Sequence, residues 1–357
     1  MIRTFHPIGQ GAFYSERHDG FNMVFDCGEW KGARRVNKMI EASFPPRSCI
    51  DCLFISHFDY DHVSKLDILK SKFPIRRVVL PLLHQDEVLL LSSIHATLGH
   101  DIVAQLISNP KMFFGEETQV LTVESADPEV TPPQSDPIQL EGAHDLTIRS
   151  GTPMVWKSTG WAYIPYNFQY KTREAQLRTS LTSAGLDLAK IMESDVVYMT
   201  KNRAAIKSVY DTLRGRINQN SMVLYSGPVD TITATRRLSF HSGLSCSNWH
   251  HGRMPTNNKR IACIYCGDCD LNVTNVQSVY GKLWHHVGVV QIPHHGDHNS
   301  FHSSSIAGDS FLCPMSVGNG NSYGHPSPQV ISEILLSGSH PLLVTDDLDS
   351  IFMEVVA

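Results

Sequence analysis

Four side chains able to bind a metal, His57, Asp59, Asp61 and His62, fall within six residues of one another. They follow directly on the apolar run Cys52-Leu-Phe-Ile, which reads as a short buried strand. Alternate residues of an extended turn project to one side, so His57, Asp59 and Asp61 converge while His62 begins the next helix. Four ligands from one loop overfill half of a tetrahedral site, and the spacing therefore favours two metal ions over one. Between residues 21 and 81 the order is strand, helix, strand, helix, strand, with strands at 23–28, 53–57 and 77–81. That alternation predicts an α/β layer architecture.

Beyond residue 83 the pattern turns helical. Leu91, Ile94, Leu98, Ile102 and Leu106 recur at spacings of three or four, which predicts one amphipathic helix over 85–108. Further helices are expected over 172–192 and over 203–214, the latter with Ile206, Val209 and Leu213 on one face. A proline-rich connector lies at 125–137. Strands return at 221–225, 260–266, 287–292, 311–317 and 342–345, and Ser327 with Pro328 marks the start of one more helix. Residues 229–259 lack periodicity and read as a long loop.

Composition narrows the function classes. The 357 residues carry a net charge of −5, with 41% apolar and 18% charged residues, which fits a globular chain and excludes wholesale disorder. No run approaches the roughly 18 apolar residues that a membrane helix needs. The start, Met1-Ile-Arg-Thr-Phe-His-Pro, lacks the apolar core of a secretory signal, so a cytoplasmic location is expected and no membrane partner. An acidic balance disfavours a broad nucleic-acid-binding face. Arg236-Arg237 with Lys259-Arg260, and Lys201/Arg203/Lys207, are the basic patches that stand out.

Eight cysteines include Cys49-x-x-Cys52 and Cys263-x-x-Cys266-x-x-Cys269. They admit a four-thiolate zinc site, but their place inside apolar runs reads better as small core residues. Nineteen histidines are the stronger signal. His84, His95, His100 and His144 read as surface or packing residues, His285 and His286 as strand-edge residues, and His250-His251 as a cover over the site. His298 and His302 fall close enough to His294-His295 to support a metal ligand or touch substrate.

The pattern His57-x-Asp59-x-Asp61-His62 resembles the His-x-His-x-Asp-His signature of the metallo-β-lactamase superfamily. Other landmarks follow in order: Asp26 in Val24-Phe-Asp-Cys-Gly, Asp268 in Tyr265-Cys-Gly-Asp, and His294-His295-Gly after Gln291-Ile-Pro. Together with Gly9-Gln-Gly11, Asn218-Gln-Asn-Ser and Tyr323-Gly-His325-Pro, the set is similar to the metallo-β-lactamase-type domain of bacterial DNA-uptake (competence) channel proteins. It covers roughly the first 80 residues and the last 140. The resemblance implies a single αββα sandwich over 1–357, with its core at about 1–82 and 217–357. A helical elaboration would occupy about 83–216.

The same resemblance implies site roles. His57 and Asp59 would hold one divalent ion, and Asp61, His62 and His294 a second, with Asp268 bridging and Asp26 orienting the ligand loop. His295 is an alternative ligand to His294 or a catalytic residue, and Asp61 and His325 join it on the catalytic list. His325 would touch a phosphate oxygen or protonate the leaving group. Two departures stand out. Asp59 replaces the usual second histidine, which shifts the metal preference from zinc toward manganese or iron. The third-motif position falls on Asn218, whose amide oxygen is a poor ligand.

Two divalent ions about 3.5–4 Å apart activate water and clamp the oxygens of an in-line displacement. Their charge also lets a net-acidic protein act on a polyanion. The expected function is therefore a manganese- or zinc-dependent phosphodiester hydrolase, a nuclease on DNA. Hydrolysis of small phosphodiesters is the first alternative, and a non-catalytic metal-binding subunit the second. A β-lactam substrate is disfavoured by the missing secretion signal, and oxygen reduction by the missing flavin-domain motif.

Overall fold

The computed structural model describes residues 1–32, 34–129, 135–140, 145–156, 160–213, 217–218, 220–230, 234–240 and 259–357. Two large sheets lie face to face. The first runs, in spatial order, Arg236–Phe240, Phe352–Val356, Ile2–Phe5, Gly11–His18, Phe21–Glu29, Cys52–Phe54, Arg77–Pro81, Gln119–Val123 and Leu146–Ile148. The second runs His340–Val344, Leu312–Ser316, Val287–Val290, Ala262–Tyr265, Asn220–Pro228, Trp161–Gln169, Met154–Trp156 and Ile138–Gln139, with Ser125–Ala126 pairing alongside Trp161–Gln169. Each sheet is parallel over one half and mostly antiparallel over the other.

Strand periodicity of two sorts the side chains into three apolar layers. Met23, Phe25, Phe54 and Val79 point inward and pack against Tyr163, Met222, Leu224, Cys263 and Val289 of the opposite sheet. Their neighbours Val24, Leu53 and Val78 point outward onto helices, meeting Val36, Leu66, Leu90 and Val103. On the far side Val223, Ala262, Ile264 and Val290 face Val276, Val330 and Ile334. Helices therefore flank both sheets. This is the expected αββα arrangement.

The middle of the chain departs from the expectation of a helical elaboration. Gln119–Val123 and Leu146–Ile148 lengthen the first sheet, and Trp161–Gln169 is an interior strand of the second. Strands of both sheets thus come from within 83–216. Pro165 sits mid-strand because Met154–Trp156 flanks only 161–163 and Ser125–Ala126 only 167–168, so the missing N–H falls between two short partners. The helix expected over 85–108 is two, Gln85–Leu98 and Asp101–Ser108, divided at left-handed Gly99. The one expected over 172–192 divides likewise at Gly185, where Asp187 caps the second piece. Most of the 229–259 loop, with His250 and His251, lies outside the described residues, as does His144.

Cys52, Cys263, Cys266 and Cys269 are buried in these apolar layers, Cys52 on the first sheet and the others on or after Ala262–Tyr265 of the second. No group of metal-ligating side chains found among the described residues includes a cysteine.

A charged cluster is sealed between the sheets. Arg3 stands opposite both Glu16 and Glu354 in the strand register, and all three are fully buried. Its guanidinium donates to Glu16 at 2.7 Å, to Glu354, and to the carbonyl of Ile261, just before the second-sheet strand Ala262–Tyr265. Ser226, Tyr265 and Tyr163 of the second sheet also donate to Glu16. Burial alone would push the Glu16 carboxyl up; Arg3, then His18 and Ser226, hold it well below its ordinary value. Arg236, expected on the surface, is buried 3.6 Å from Glu354, and Arg260 pairs with Asp309 at 2.7 Å.

Replacing Arg3 by Met leaves buried carboxylates without their main cation and is expected to cost about 3–5 kcal/mol in urea unfolding at pH 7. The double variant Arg3→Met/Glu16→Gln recovers part of that loss. Because the Glu16 carboxyl is depressed in the folded state, its contribution is complete above pH 4.5 and declines as the pH falls below it. A cost under about 1 kcal/mol for Arg3→Met would show that the cluster does not hold the sheets together.

Candidate metal centre

The ligand loop is fixed from beneath by Asp26, near the end of Phe21–Glu29. Asp26 adopts left-handed φ of 54°, a strained setting for a non-glycine residue, and is fully buried. Its carboxylate accepts hydrogen bonds from Ser56 N and Oγ, both at 2.7 Å, and from His62 Nδ1 at 2.8 Å. Ser56 Oγ, having donated to Asp26, accepts from His57 Nδ1 at 2.8 Å. With both Nδ1 atoms donating, His57 and His62 present their Nε2 atoms to the interior. Gly28 lets the helix Tyr60–Val63 settle on the strand, because a Cβ there would lie 2.5 Å from the backbone of His62 and Val63.

Asp59 occupies the N-cap position of that helix but makes no capping bond. Its Oδ1 accepts from Asn218 Nδ2 at 2.7 Å, and Asn218 Oδ1 in turn accepts from Phe58 N at 3.3 Å. Asn218 thus braces the loop, and its amide oxygen is already engaged.

The second sheet supplies the opposing wall. Asp268 follows Ala262–Tyr265 through Gly267, where a Cβ would strike Ser56 at 2.6 Å. Gln291 Oε1 accepts from Cys266 N and Gly267 N, Ser221 Oγ accepts from Asp268 N, and buried Arg173 donates to the Asp268 carbonyl at 2.9 Å. The Asp268 carboxylate lies 3.6 Å from His57 Nε2, 3.3 Å from His62 Nε2 and 3.7 Å from His294 Nε2. His294 and His295 are consecutive left-handed residues, with φ of 49° and 55°. His295 donates from Nδ1 to the Ser316 carbonyl at 2.8 Å and sets Nε2 3.0 Å from Asp61 Oδ2.

Among the described residues, His57 Nε2, His62 Nε2, Asp59 Oδ2 and Asp268 Oδ1 are buried without a hydrogen-bond partner. Leaving such groups unsatisfied is costly, and ligation of a cation satisfies them together. His57, His62 and Asp268 form one group whose ligand atoms lie within 4.8 Å of one another; Asp61, His62 and His295 form a second. Imidazole nitrogens with carboxylate oxygens suit zinc, manganese or iron. The residues fit divalent metal.

The family comparison agrees with this geometry. A model of the Metallo-beta-lactamase superfamily matches residues 11–140, which include the whole ligand loop. Two sheets flanked by helices are consistent with the metallo-β-lactamase fold. Among solved structures, the short form of human tRNase Z aligns at 12% identity and a TM-score of 0.39, covering 96% of this chain and 92% of that one. The metallo-beta-lactamase fold protein YhfI from Bacillus subtilis aligns at 8% and 0.38, covering 99% of each. Comparison with curated proteins gives no match.

Asp59, Asp61, Asp268, His294 and His295 line a small cleft of about 40 Å³, together with Gln10, Trp30, Tyr210, Asp211, Tyr323 and His325. His325 is held at its backbone by Asn321, which accepts from its N–H and donates to its carbonyl. Burial, then the nearby His295 and His294, lowers the His325 pKa to about 4. His294 turns toward Asp297 and His325 and forms a third group with them. His298 is exposed beside Asp297, and His302 caps the turn Ser303–Ile306. Sequence reasoning passed over Trp30, Tyr210 and Arg173; the signal available for Trp30 was its place one residue past the Asp26 strand.

Burial lowers the imidazole pKa values of His57 and His62, but Asp268 outweighs it, raising His57 to about 9 and His62 well above its ordinary value. Without metal both rings hold protons at neutral pH. Metal competes with those protons, so manganese affinity is expected to rise from pH 6 toward 9 and then level off. Calorimetry at pH 7 in buffers of differing ionisation enthalpy should register one to two protons released per protein; none released would refute ligation by these rings. Asn218→Ala unbraces Asp59 and is expected to weaken metal binding by about 10–100-fold while the fold persists.

Proposed function

We propose that the protein is a metal-dependent phosphodiester hydrolase acting on nucleic acid, with DNA as the expected substrate. The observation that carries this reading is the convergence of buried imidazole and carboxylate groups from both sheets, of which Asp59, Asp61, Asp268, His294 and His295 line one open cleft. His57 and Asp59 would hold one ion and Asp61, His62 and His295 the other, with Asp268 between them. The 3.0 Å approach of His295 to Asp61 favours it over His294 as the late ligand. When bound, two divalent ions supply the charge that lowers the pKa of water and offsets the negative charge of a phosphodiester.

The chain's own groups then have defined tasks. Burial would raise the Asp61 carboxyl, but the His295 hydrogen bond and the His62 charge bring it to about 2, so it stays ionised. His325, neutral at pH 7, offers a ring N–H to a phosphate oxygen from the far wall. An arriving anion raises its proton affinity, which suits it to protonate the leaving oxygen. Tyr210 and Asp211, from the helix Val196–Leu213, narrow the cleft from the side of the middle segment. That confinement favours small phosphodiesters as the second reading. The likeness to the DNA-uptake branch rests on the ordered motifs alone.

Labelled single- and double-stranded DNA incubated with manganese or zinc tests the proposal. Asp61→Asn and Asp268→Asn are expected to lower kcat by more than about 10³-fold with the fold retained. Turnover by a correctly folded Asp268→Asn protein would overturn the bridging role. His325→Ala is expected to lower kcat by about 10²-fold with little change in KM; an unchanged rate removes it from the catalytic residues.

A further inference from the structure

Resting on the phosphodiesterase reading, we propose that Trp30, with Lys31 beside it, forms a stacking subsite for an unpaired nucleobase next to the scissile phosphate. This makes single-stranded nucleic acid the substrate class. Trp30 lines the same cleft as Asp59, Asp61 and Asp268, yet is 37% exposed. Large aromatics are normally covered, and an exposed indole beside a polar centre is suited to holding a flat ligand.

Its position is built. Trp30 N donates to the Gln10 carbonyl at 3.0 Å, and the Glu29 carboxylate accepts from Lys31 N at 2.9 Å. Tyr60 and Tyr323 meet the indole edge to face, at interplanar angles of 88° and 85°, so neither is stacked flat on it. Tyr323 in turn stacks against His325 at 12°, which joins the aromatic rim to the reactive end of the cleft.

Charge follows the same path. The cleft is acidic, but the segment leaving it is Trp30-Lys31-Gly32-Ala33-Arg34-Arg35. Lys31 and Arg34 are exposed, and Lys31 Nζ reaches the Asn319 carbonyl at 3.1 Å, on the loop leading to Asn321. An exposed aromatic followed by basic groups matches a single strand, which offers both a free base face and a phosphate chain. In a duplex the base faces are already stacked.

The test compares a single-stranded oligonucleotide with versions carrying one abasic unit at successive positions along the strand. Wild-type protein with manganese should cleave the intact strand at least about fivefold more efficiently than the worst abasic version, mainly through KM. Trp30→Ala should collapse that ratio toward one, and Trp30→Phe should restore much of it. A ratio near one in the wild type, or one unchanged in Trp30→Ala, overturns the subsite. If the wild type hydrolyses no phosphodiester, the phosphodiesterase reading fails separately, and binding decides the subsite. AMP should then bind the manganese-loaded protein at least about fivefold tighter than ribose 5-phosphate, with the preference lost in Trp30→Ala; no preference, or one that survives the substitution, overturns it.

Discussion

A single buried carboxylate organises the site. Asp26 takes three hydrogen bonds from the ligand loop, two from Ser56 and one from His62. Through Ser56 Oγ it also governs the ring of His57. The orientation of both imidazoles therefore traces back to one residue on the adjacent strand. Placing a carboxylate there without solvent is tolerated because three donors meet it, one backbone N–H and two side-chain groups. The left-handed backbone at Asp26 is part of the same arrangement, since strain of this kind persists only where the surroundings over-determine it.

The two halves of the site are made by different means. The first-sheet half is local: the ligands of one loop are positioned by alternation and by the close approach that Gly28 permits. The second-sheet half is long-range. Asp268, His295 and His325 come from three separate loops, each pinned to its own partner: Gln291 and Ser221 under the Asp268 turn, the Ser316 carbonyl under His295, Asn321 beside His325. The sealed Arg3–Glu16–Glu354 cluster adds polar bonds between the sheets to the apolar packing that joins them.

This difference explains what the sequence disclosed. The His57–His62 cluster and the strands at 77–81 and 262–265 were legible because their pattern is local and periodic. So was the helix begun by Ser327 and Pro328. Trp161–Gln169 was not, since Pro165 disguises it and only the shortness of its flanking strands admits a proline there. Gly99 and Gly185 divided helices whose apolar spacing ran on past them. Arg236 and Arg260 looked like surface cations because pairing with Glu354 and Asp309 is a tertiary fact. The choice between His294 and His295 likewise depends on two successive left-handed residues, which no spacing rule reveals.

The grip of the middle segment on the Asp268 loop has a consequence for how such a protein can diversify. Tyr170 and Arg173, at the start of the helix Lys171–Ser183, clasp that loop from outside: Arg173 at the Asp268 carbonyl, and the Tyr170 hydroxyl between Asp270 N, Cys269 Sγ and Thr274 Oγ1. The same segment continues into the helix that carries Tyr210 to the mouth of the cleft. Shape of the entrance and stiffness of the carboxylate at its floor are thus mechanically coupled. The segment is no interchangeable lid: a graft taken from a relative to alter selectivity would have to bring an equivalent clasp with it.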